Sequence, residues 1–288
     1  SVRSGARVSM PGMMETVLNL GLNDATVEGL AARTGNERFA WDCYRRFIAM
    51  FGDVVLGIPR KHFDEHLEAA KSRLRLRTAP EIPAAELRKL VAVFMGVVAE
   101  RVETPFPQEP REQLRLAINA VFDSWFAKKA VDYRRIHGIP ADWGTAVTVM
   151  AMVFGNLGET SGSGVAFTRD PATGERRFYG EFLVNAQGED VVAGIRTPEP
   201  IAVLRERMPK VYEELVAIKD RLEAHYRDMQ DIEFTLQEGT LYLLQTRSGK
   251  RTARAAVRVA VEMVREGLID KKTALLRVEP GRLNEMLH

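Results

Sequence analysis

The chain has 288 residues, of which 45% are hydrophobic and 28% are charged, and these values are typical of a globular protein with a substantial core. Its net charge of +2 does not favour nucleic acid or a membrane surface as a partner, and no apolar run approaches the roughly 20 residues of a membrane span. The absence of a signal-peptide pattern and the single cysteine, Cys43, favour a reducing, cytoplasmic environment.

The first predicted elements are helical and lie between Asp24 and Gly138. Residues 41–51 place apolar side chains at helical spacing, which indicates a helix with a buried face. The same pattern appears in residues 62–76, 84–102 and 111–137. Proline lacks the N–H group that a helix interior needs, so the prolines in this region mark helix ends: Pro80, Pro83, Pro105, Pro107 and Pro110.

From residue 146 onward the pattern changes to that of strands followed by further helices. The predicted elements are strands at 147–154, 164–168 and 177–183, a turn at 172–174, a helix at 202–229, and tail helices at 253–266 and 271–277. We therefore predict an α+β protein, in which a helical part meets an antiparallel α+β layer near residues 138–145.

Residues 231–247 are predicted to form a β-hairpin, because apolar and polar residues alternate on both sides of a Glu238-Gly239 turn. Asp231 and Glu233 lie two positions apart and therefore share one face of a strand, as do Gln245 and Arg247. Two carboxylates, an amide oxygen and a guanidinium group on one face predict a site for magnesium and a polyphosphate. The alternative is a solvent-facing hairpin of mixed charge.

Other candidate residues are ambiguous when each is considered alone. Residues 160–164 form a small-residue loop, which could present N–H groups to a phosphate or simply turn the chain. Arg3 offers a planar fork of donors to phosphate oxygens, although a lone arginine in a loop is usually a surface residue. The periodicity around Arg46 favours a solvated helix face, and Gly12 fits a simple turn.

Several motifs, in one order along the chain, carry a specific resemblance to a known family. They are Val2-Arg-Ser with Met10-Pro-Gly-Met-Met, Gly155-Asn-Leu-Gly-Glu-Thr-Ser-Gly-Ser-Gly, Ala186-Gln-Gly-Glu-Asp-Val-Val-Ala-Gly, and Gln245-Thr-Arg-Ser-Gly-Lys-Arg-Thr. Over essentially the whole chain they resemble the nucleotide-binding domain of the pyruvate, phosphate dikinase family of phosphoenolpyruvate-utilising enzymes. The resemblance implies an ATP-grasp fold, truncated at its N-terminus, with an inserted helical subdomain.

The resemblance also implies a division of the chain into four segments. These are a partial ATP-grasp segment at 1–23, the helical insert at 24–139, the nucleotide- and magnesium-binding subdomain at 140–252, and a helical linker toward a phosphohistidine domain at 253–288.

The implied activity uses ATP and Mg²⁺. A pyrophosphoryl group would pass from ATP to a histidine on a separate domain, and the complete reaction would convert ATP, pyruvate and phosphate to AMP, phosphoenolpyruvate and diphosphate. Arg3 and Arg247 would be catalytic, and Asp231, Glu233 and Gln245 would bind the metal. The nucleotide-binding residues that the resemblance implies are Arg3, Gly12, Arg46, Thr160, Ser161, Gly162, Asp231, Glu233, Gln245 and Arg247.

The chain also departs from the family pattern. It starts with Ser1 rather than Met, and it lacks the preceding stretch that supplies a Gly-rich segment and a phosphate-binding lysine in the family. None of its five histidines has the family's Thr-Ser-His context. We therefore expect a fragment that is inactive alone and that works with a phosphohistidine domain and a pyruvate-binding barrel in a homodimer. The alternatives are the corresponding domain of a phosphoenolpyruvate synthase and a non-catalytic ATP-binding module.

Overall fold

The computed structural model describes residues 1–192 and 196–283, and it forms two compact units, residues 1–152 and 153–288. Among the described residues, no helix combines the length and the apolar character that crossing a membrane requires.

The first unit contains a small antiparallel sheet, of order β2-β1-β3, and a larger set of helices. Its elements are β1 (Val2–Ala6), β2 (Thr16–Val17), α1 (Asp24–Thr34), α2 (Glu37–Val54), α3 (Lys61–Leu74), α4 (Ala84–Val102), α5 (Pro110–Asp123), α6 (Lys128–Ile136) and β3 (Thr145–Val149).

Helix α2 is the most deeply buried helix of the first unit. It begins after Asn36, whose side-chain oxygen accepts a hydrogen bond of 3.0 Å from the N–H of Phe39 and so caps the helix. Farther along, the rings of Phe47 and Phe51 both contact Phe106 edge-on, with centroids 5.6 and 5.4 Å away. The helix is thus fixed by a cap at its start and by aromatic packing along its length.

The second unit is built on a five-stranded antiparallel sheet of order β6-β5-β4-β7-β8. Its elements are β4 (Gly162–Phe167), β5 (Tyr179–Val184), α7 (Gly188–Val192), β6 (Glu199–Pro200), α8 (Leu204–Arg207), α9 (Pro209–Tyr226), β7 (Gln230–Gln237), β8 (Thr240–Ser248), α10 (Ala253–Arg265), α11 (Lys271–Arg277) and α12 (Pro280–Leu283).

One face of this sheet packs against α8 and α9 and forms a core that includes Phe182, Ile232 and Phe234. The rings of Phe182 and Phe234 are stacked, with centroids 6.1 Å apart. Gly164 lies beneath the Phe234 ring, and a Cβ atom at this position would come within 2.5 Å of that ring. Glycine is therefore required here by a close approach of side chain to backbone. We call the opposite face of the sheet the outer face.

The structure confirms the predicted α+β class, but some predicted helices are interrupted. The helix predicted over 202–229 is divided into α8 and α9 at Met208, whose φ of −142° is not helical. Pro209 follows Met208, and the residue before a proline is disfavoured in the helical region for steric reasons. The helix predicted over 111–137 is also two helices, α5 and α6, with a 3₁₀ turn at Ser124–Phe126 between them.

Two strand predictions need correction. The strand predicted over 147–154 is β3, which ends at Val149 and pairs with β1 in the first unit. The loop predicted over 160–164 is wrong for its last three residues, because β4 begins at Gly162. The small residues there are not a sign of a turn. They allow the Phe182 and Phe234 rings to cover the strand. The four-segment division of the chain stays a prediction.

Candidate functional site

The predicted hairpin is present and is formed by β7 and β8. Its turn residues, Glu238 and Gly239, have φ values of 50° and 77°, as the turn of a two-residue hairpin loop requires. Asp231 lies directly opposite Arg247 in the ladder. Because Ile232, between Asp231 and Glu233, points into the core, both carboxylates lie on the outer face. The structure therefore confirms that the hairpin gathers these polar side chains on one face.

A bulge in β8 is needed for this arrangement. Phe234 pairs with Leu243, whereas Glu233 pairs with Gln245, so Leu244 is an extra residue in the ladder. If the same residues paired without a bulge, the register set by the turn would place Gln245 opposite Ile232, on the core face. The bulge thus shifts Gln245 to a position opposite Glu233, and shifts the rest of β8 with it.

The charges on this face are paired. Arg247 donates from Nε to Oδ2 of Asp231 at 3.2 Å, and its Nη2 lies 3.0 Å from the same oxygen. The same Nη2 also donates to Oε1 of Glu233. Burial raises the pKa of Asp231, the neighbouring charge of Glu233 raises it further, and Arg247 opposes both effects. The three charged side chains are half-buried, while Gln245 is exposed.

Residues 160–162 fasten the tip of this hairpin. The N–H of Glu238 donates to the hydroxyl of Ser161 at 2.9 Å, and the N–H of Gly239 donates to the carbonyl of Thr160 at 2.8 Å. The N–H of Ser161 is itself bonded to the carbonyl of Gly158, and Gly162 pairs with strands on both sides. Phosphate binding by this segment stays a prediction, which these hydrogen bonds do not favour.

Arg46 lies in the first unit and is buried on α2, so the alternative of a solvated helix face is wrong. Its Nε donates to Oδ2 of Asp42 at 3.2 Å, and Arg45 holds Oδ1 of the same carboxylate through Nη2 at 2.7 Å. Burial opposes ionisation of Asp42, but Arg45, Arg46 and Arg38 together hold the pKa of this carboxyl well below its usual range. Asp42 therefore orients two adjacent arginines.

Arg3 and Gly12 also lie in the first unit. Arg3 is a half-buried residue of β1 that pairs with Thr16 on one side and Thr148 on the other. Gly12 occupies the third position of an exposed turn in which the N–H of Met13 bonds to the carbonyl of Met10 at 3.1 Å. Its φ of 71° follows a proline, as in a type II turn, and this conformation favours glycine.

The family model described as "Pyruvate phosphate dikinase, AMP/ATP-binding domain" matches residues 1–213 and 209–268. The chain belongs to this family. It is 55% identical to a pyruvate, phosphate dikinase of Clostridium symbiosum, covering all of this chain and 33% of that protein. It is 57% identical to the chloroplastic pyruvate, phosphate dikinase 1 of Oryza sativa subsp. japonica, covering all of this chain and 30% of that protein. The chain thus spans about a third of these curated relatives and corresponds to their ATP-binding part.

The carboxylates of the outer face suit one kind of metal site. The described part of the chain contains no group of three or more His, Cys, Asp or Glu residues that could hold a metal ion. Magnesium beside a nucleotide, however, uses only one or two protein carboxylates, with phosphate oxygens and waters completing its octahedron. Asp231, Glu233 and the amide oxygen of Gln245 fit that requirement, since they are hard oxygen donors on one face.

The sequence did not single out Arg169, the largest fully buried side chain of the second unit. It follows β4 and donates to Glu223 of α9, with its Nη2 2.8 Å from Oε1. It also donates to Glu262 of α10 and to Glu266, the residue that directly follows this helix. Arg169 therefore ties both helices to the sheet. Neither Glu262 nor Glu266 is near it in sequence, so no local pattern indicated this cluster.

Proposed function

We propose that the outer face of the β7–β8 hairpin binds ATP together with Mg²⁺, and that this chain is the nucleotide-binding part of an enzyme with pyruvate, phosphate dikinase activity. The observation that carries the proposal is the pairing of Asp231 with Arg247 and of Glu233 with Gln245 on one face. Metal ligands and a phosphate-binding fork are thereby adjacent. In phosphoryl transfer the protein mainly positions groups and stabilises charge, and these side chains are suited to that role.

Each side chain has a distinct role in this proposal. Glu233 and Gln245 hold the metal, and Asp231 binds a second metal or supports the first. When bound, Mg²⁺ offsets negative charge on the phosphates. Arg247 and Arg3 contact the transferring phosphates through their planar donor forks.

The same proposal includes positions outside the hairpin. Gly12 would allow the backbone of its turn to approach the phosphates, because no side chain projects there. Arg46 would contact a phosphate from α2, where Asp42 fixes the orientation of its guanidinium group. Thr160, Ser161 and Gly162 would cover the phosphates, although their observed bonds serve the hairpin tip.

The proposed reaction begins with attack of a histidine nitrogen on the β-phosphorus of ATP. The new N–P bond forms as the bond to the α-phosphate oxygen breaks, so AMP leaves. Inorganic phosphate then removes the terminal phosphoryl group as diphosphate, and the remaining phosphoryl group passes to pyruvate. The histidine and the pyruvate site would belong to a phosphohistidine domain and a barrel outside this chain, so we expect no net phosphoenolpyruvate synthesis by the chain alone.

The finer structural and cellular assignments are also part of the proposal. The fold would be of the ATP-grasp type, truncated at its N-terminus and carrying an inserted helical subdomain, and the complete enzyme would be a homodimer. A cytoplasmic location is proposed on the single cysteine, although some relatives are named as chloroplastic.

Calorimetric titration of the chain with ATP, with and without Mg²⁺, tests the proposal. We expect ATP affinity to depend on Mg²⁺, and the dependence to require the carboxylates of the hairpin. ATP binding that is unaffected by Mg²⁺ would contradict the metal assignment and favour a non-catalytic ATP-binding module, and no binding at all would contradict the proposal. Dependence of the complete enzyme on inorganic phosphate would separate a dikinase from a synthase, which uses water.

A further inference from the structure

One guanidinium group contacts both carboxylates to which the proposed function assigns the metal. Arg247 reaches Oδ2 of Asp231 through Nε and Nη2, at 3.2 and 3.0 Å, and reaches Oε1 of Glu233 through the same Nη2. Among the described residues, no other hydrogen bond or ion pair holds this guanidinium. Its position is therefore set by the same oxygens that a metal ion would use.

The charges make simultaneous occupation unfavourable. The two carboxylates carry two negative charges, and the guanidinium already offsets one of them. A divalent cation placed on the same oxygens would lie a few ångströms from the positive charge of Arg247, and half-burial limits the screening of that repulsion by solvent. Metal binding therefore requires the guanidinium to leave the carboxylates.

A polyphosphate gives the guanidinium another place to bind. Phosphate oxygens match the donor fork of arginine at least as well as carboxylates do. Arg247 is also less enclosed than Arg169. About a quarter of its side chain is exposed, whereas Arg169 is fully buried among three carboxylates.

We propose that Arg247 closes the metal site in the absence of nucleotide, and that it makes metal binding conditional on a polyphosphate. When the polyphosphate binds, the guanidinium moves from Asp231 and Glu233 to phosphate oxygens and leaves both carboxylates to the metal. Metal and nucleotide then strengthen each other's binding, as linkage requires. This inference rests on the proposed function. In it, Arg247 makes the site bind a metal–nucleotide complex in preference to the metal ion alone.

The test uses Mn²⁺ as the probe, because its binding can be followed by electron paramagnetic resonance without nucleotide or turnover. In the chain without nucleotide, Arg247→Gln should tighten Mn²⁺ binding about tenfold, a typical size for coupling between two sites. In the parent chain, a non-hydrolysable ATP analogue should tighten Mn²⁺ binding by a similar factor. In Arg247→Gln the analogue should still tighten Mn²⁺ binding through its own phosphate oxygens, but by a smaller factor than in the parent.

Two further variants control the result. Arg258→Gln removes an arginine that also bridges two carboxylates, those of Glu175 and Glu262, but these come from different elements. It should leave nucleotide-free Mn²⁺ affinity unchanged. The double variant Arg247→Gln/Glu233→Gln should lose the gain, since one of the freed carboxylates is then neutral.

The outcomes separate the inference from the proposed function. If the parent binds Mn²⁺ only with the ATP analogue but Arg247→Gln shows no gain without nucleotide, the inference is overturned and the proposed function stands. If the parent binds no Mn²⁺ even with the analogue, the proposed function itself fails. Should Arg247→Gln fold poorly, Arg247→Lys provides a second variant. Lysine has one donor centre and cannot span both carboxylates, so an intermediate gain in Mn²⁺ affinity is expected.

Discussion

Asp231 and Arg247 lie opposite each other in the β7–β8 ladder, and the guanidinium of Arg247 extends from Asp231 to the next outer-face carboxylate, Glu233. The hairpin thus holds two acids and one base in contact on one face of a sheet. These three side chains together carry a net negative charge, which suits a cation.

Glu233→Gln should weaken Mg²⁺-dependent ATP binding, because an amide keeps the shape of the side chain but loses the negative charge that attracts the metal. We expect a loss of about tenfold in affinity, or roughly 1.4 kcal/mol. Calorimetric titration with ATP and Mg²⁺ measures it. The matched control is Glu213→Gln, an exposed position on α9, which should bind as the parent does. Equal losses in the two variants would contradict the role of Glu233.

Arg247→Lys should slow pyrophosphoryl transfer by at least about tenfold, or roughly 1.4 kcal/mol of transition-state stabilisation. Lysine keeps the charge but cannot reproduce the two-point contact with phosphate oxygens. The measurement is rapid-quench analysis of histidine pyrophosphorylation in a complete dikinase that contains this chain. Arg207→Lys, in a surface pair with Glu199, is the control. A rate within twofold of the parent at an unchanged melting temperature would exclude Arg247 from the transfer.

Arg169→Met should lower the free energy of unfolding by about 3–5 kcal/mol, because it leaves the buried carboxylate of Glu223 without its partner. Urea denaturation of the chain measures this change. Arg207→Met removes an ion pair to Glu199 in which both side chains are exposed, and it should cost at most about 1 kcal/mol. Similar losses for the two variants would show that the Arg169 cluster contributes no more than a surface pair.

Asp42→Asn should destabilise the chain by about 3 kcal/mol at neutral pH, since three arginines then lose their shared carboxylate. The folded pKa of Asp42 lies below its unfolded value of about 3.9. Its contribution is therefore fully present above about pH 4 and is lost as the pH falls from there through the folded pKa. Urea denaturation of both proteins from pH 7 to pH 3 should show a constant difference that shrinks below about pH 4. A difference independent of pH would mean that the charge of Asp42 is not what stabilises the fold.

The sequence predicted the regular elements well wherever local pattern decides structure. The helices at 84–102 and 271–277 agree with α4 and α11, and the hairpin agrees with β7 and β8. Hydrophobic periodicity and turn residues depend on neighbours within a few positions, so a single sequence is enough to predict the elements that they specify.

The burial of Arg46 could not be predicted in the same way. A pair of arginines on an apolar helix looks solvated until Asp42, three and four positions earlier, is recognised as their common acceptor. The spacing was visible in the sequence, but the desolvation of all three groups depends on tertiary packing. The burial of Arg169 also depends on tertiary packing, because its partners come from α9 and from the C-terminal end of α10.

The bulge at Leu244 restricts how this hairpin can vary in length. Eleven residues separate Glu233 from Gln245, and an odd number cannot be accommodated by two regular strands and a two-residue turn. The odd residue must be placed either in a strand or in the turn. Deletion of Leu244 alone would leave an even number, so the two strands could pair regularly and Gln245 would stay opposite Glu233. A single deletion in this hairpin is thus best accommodated at the bulge, where it moves neither Gln245 nor Arg247 to the core face.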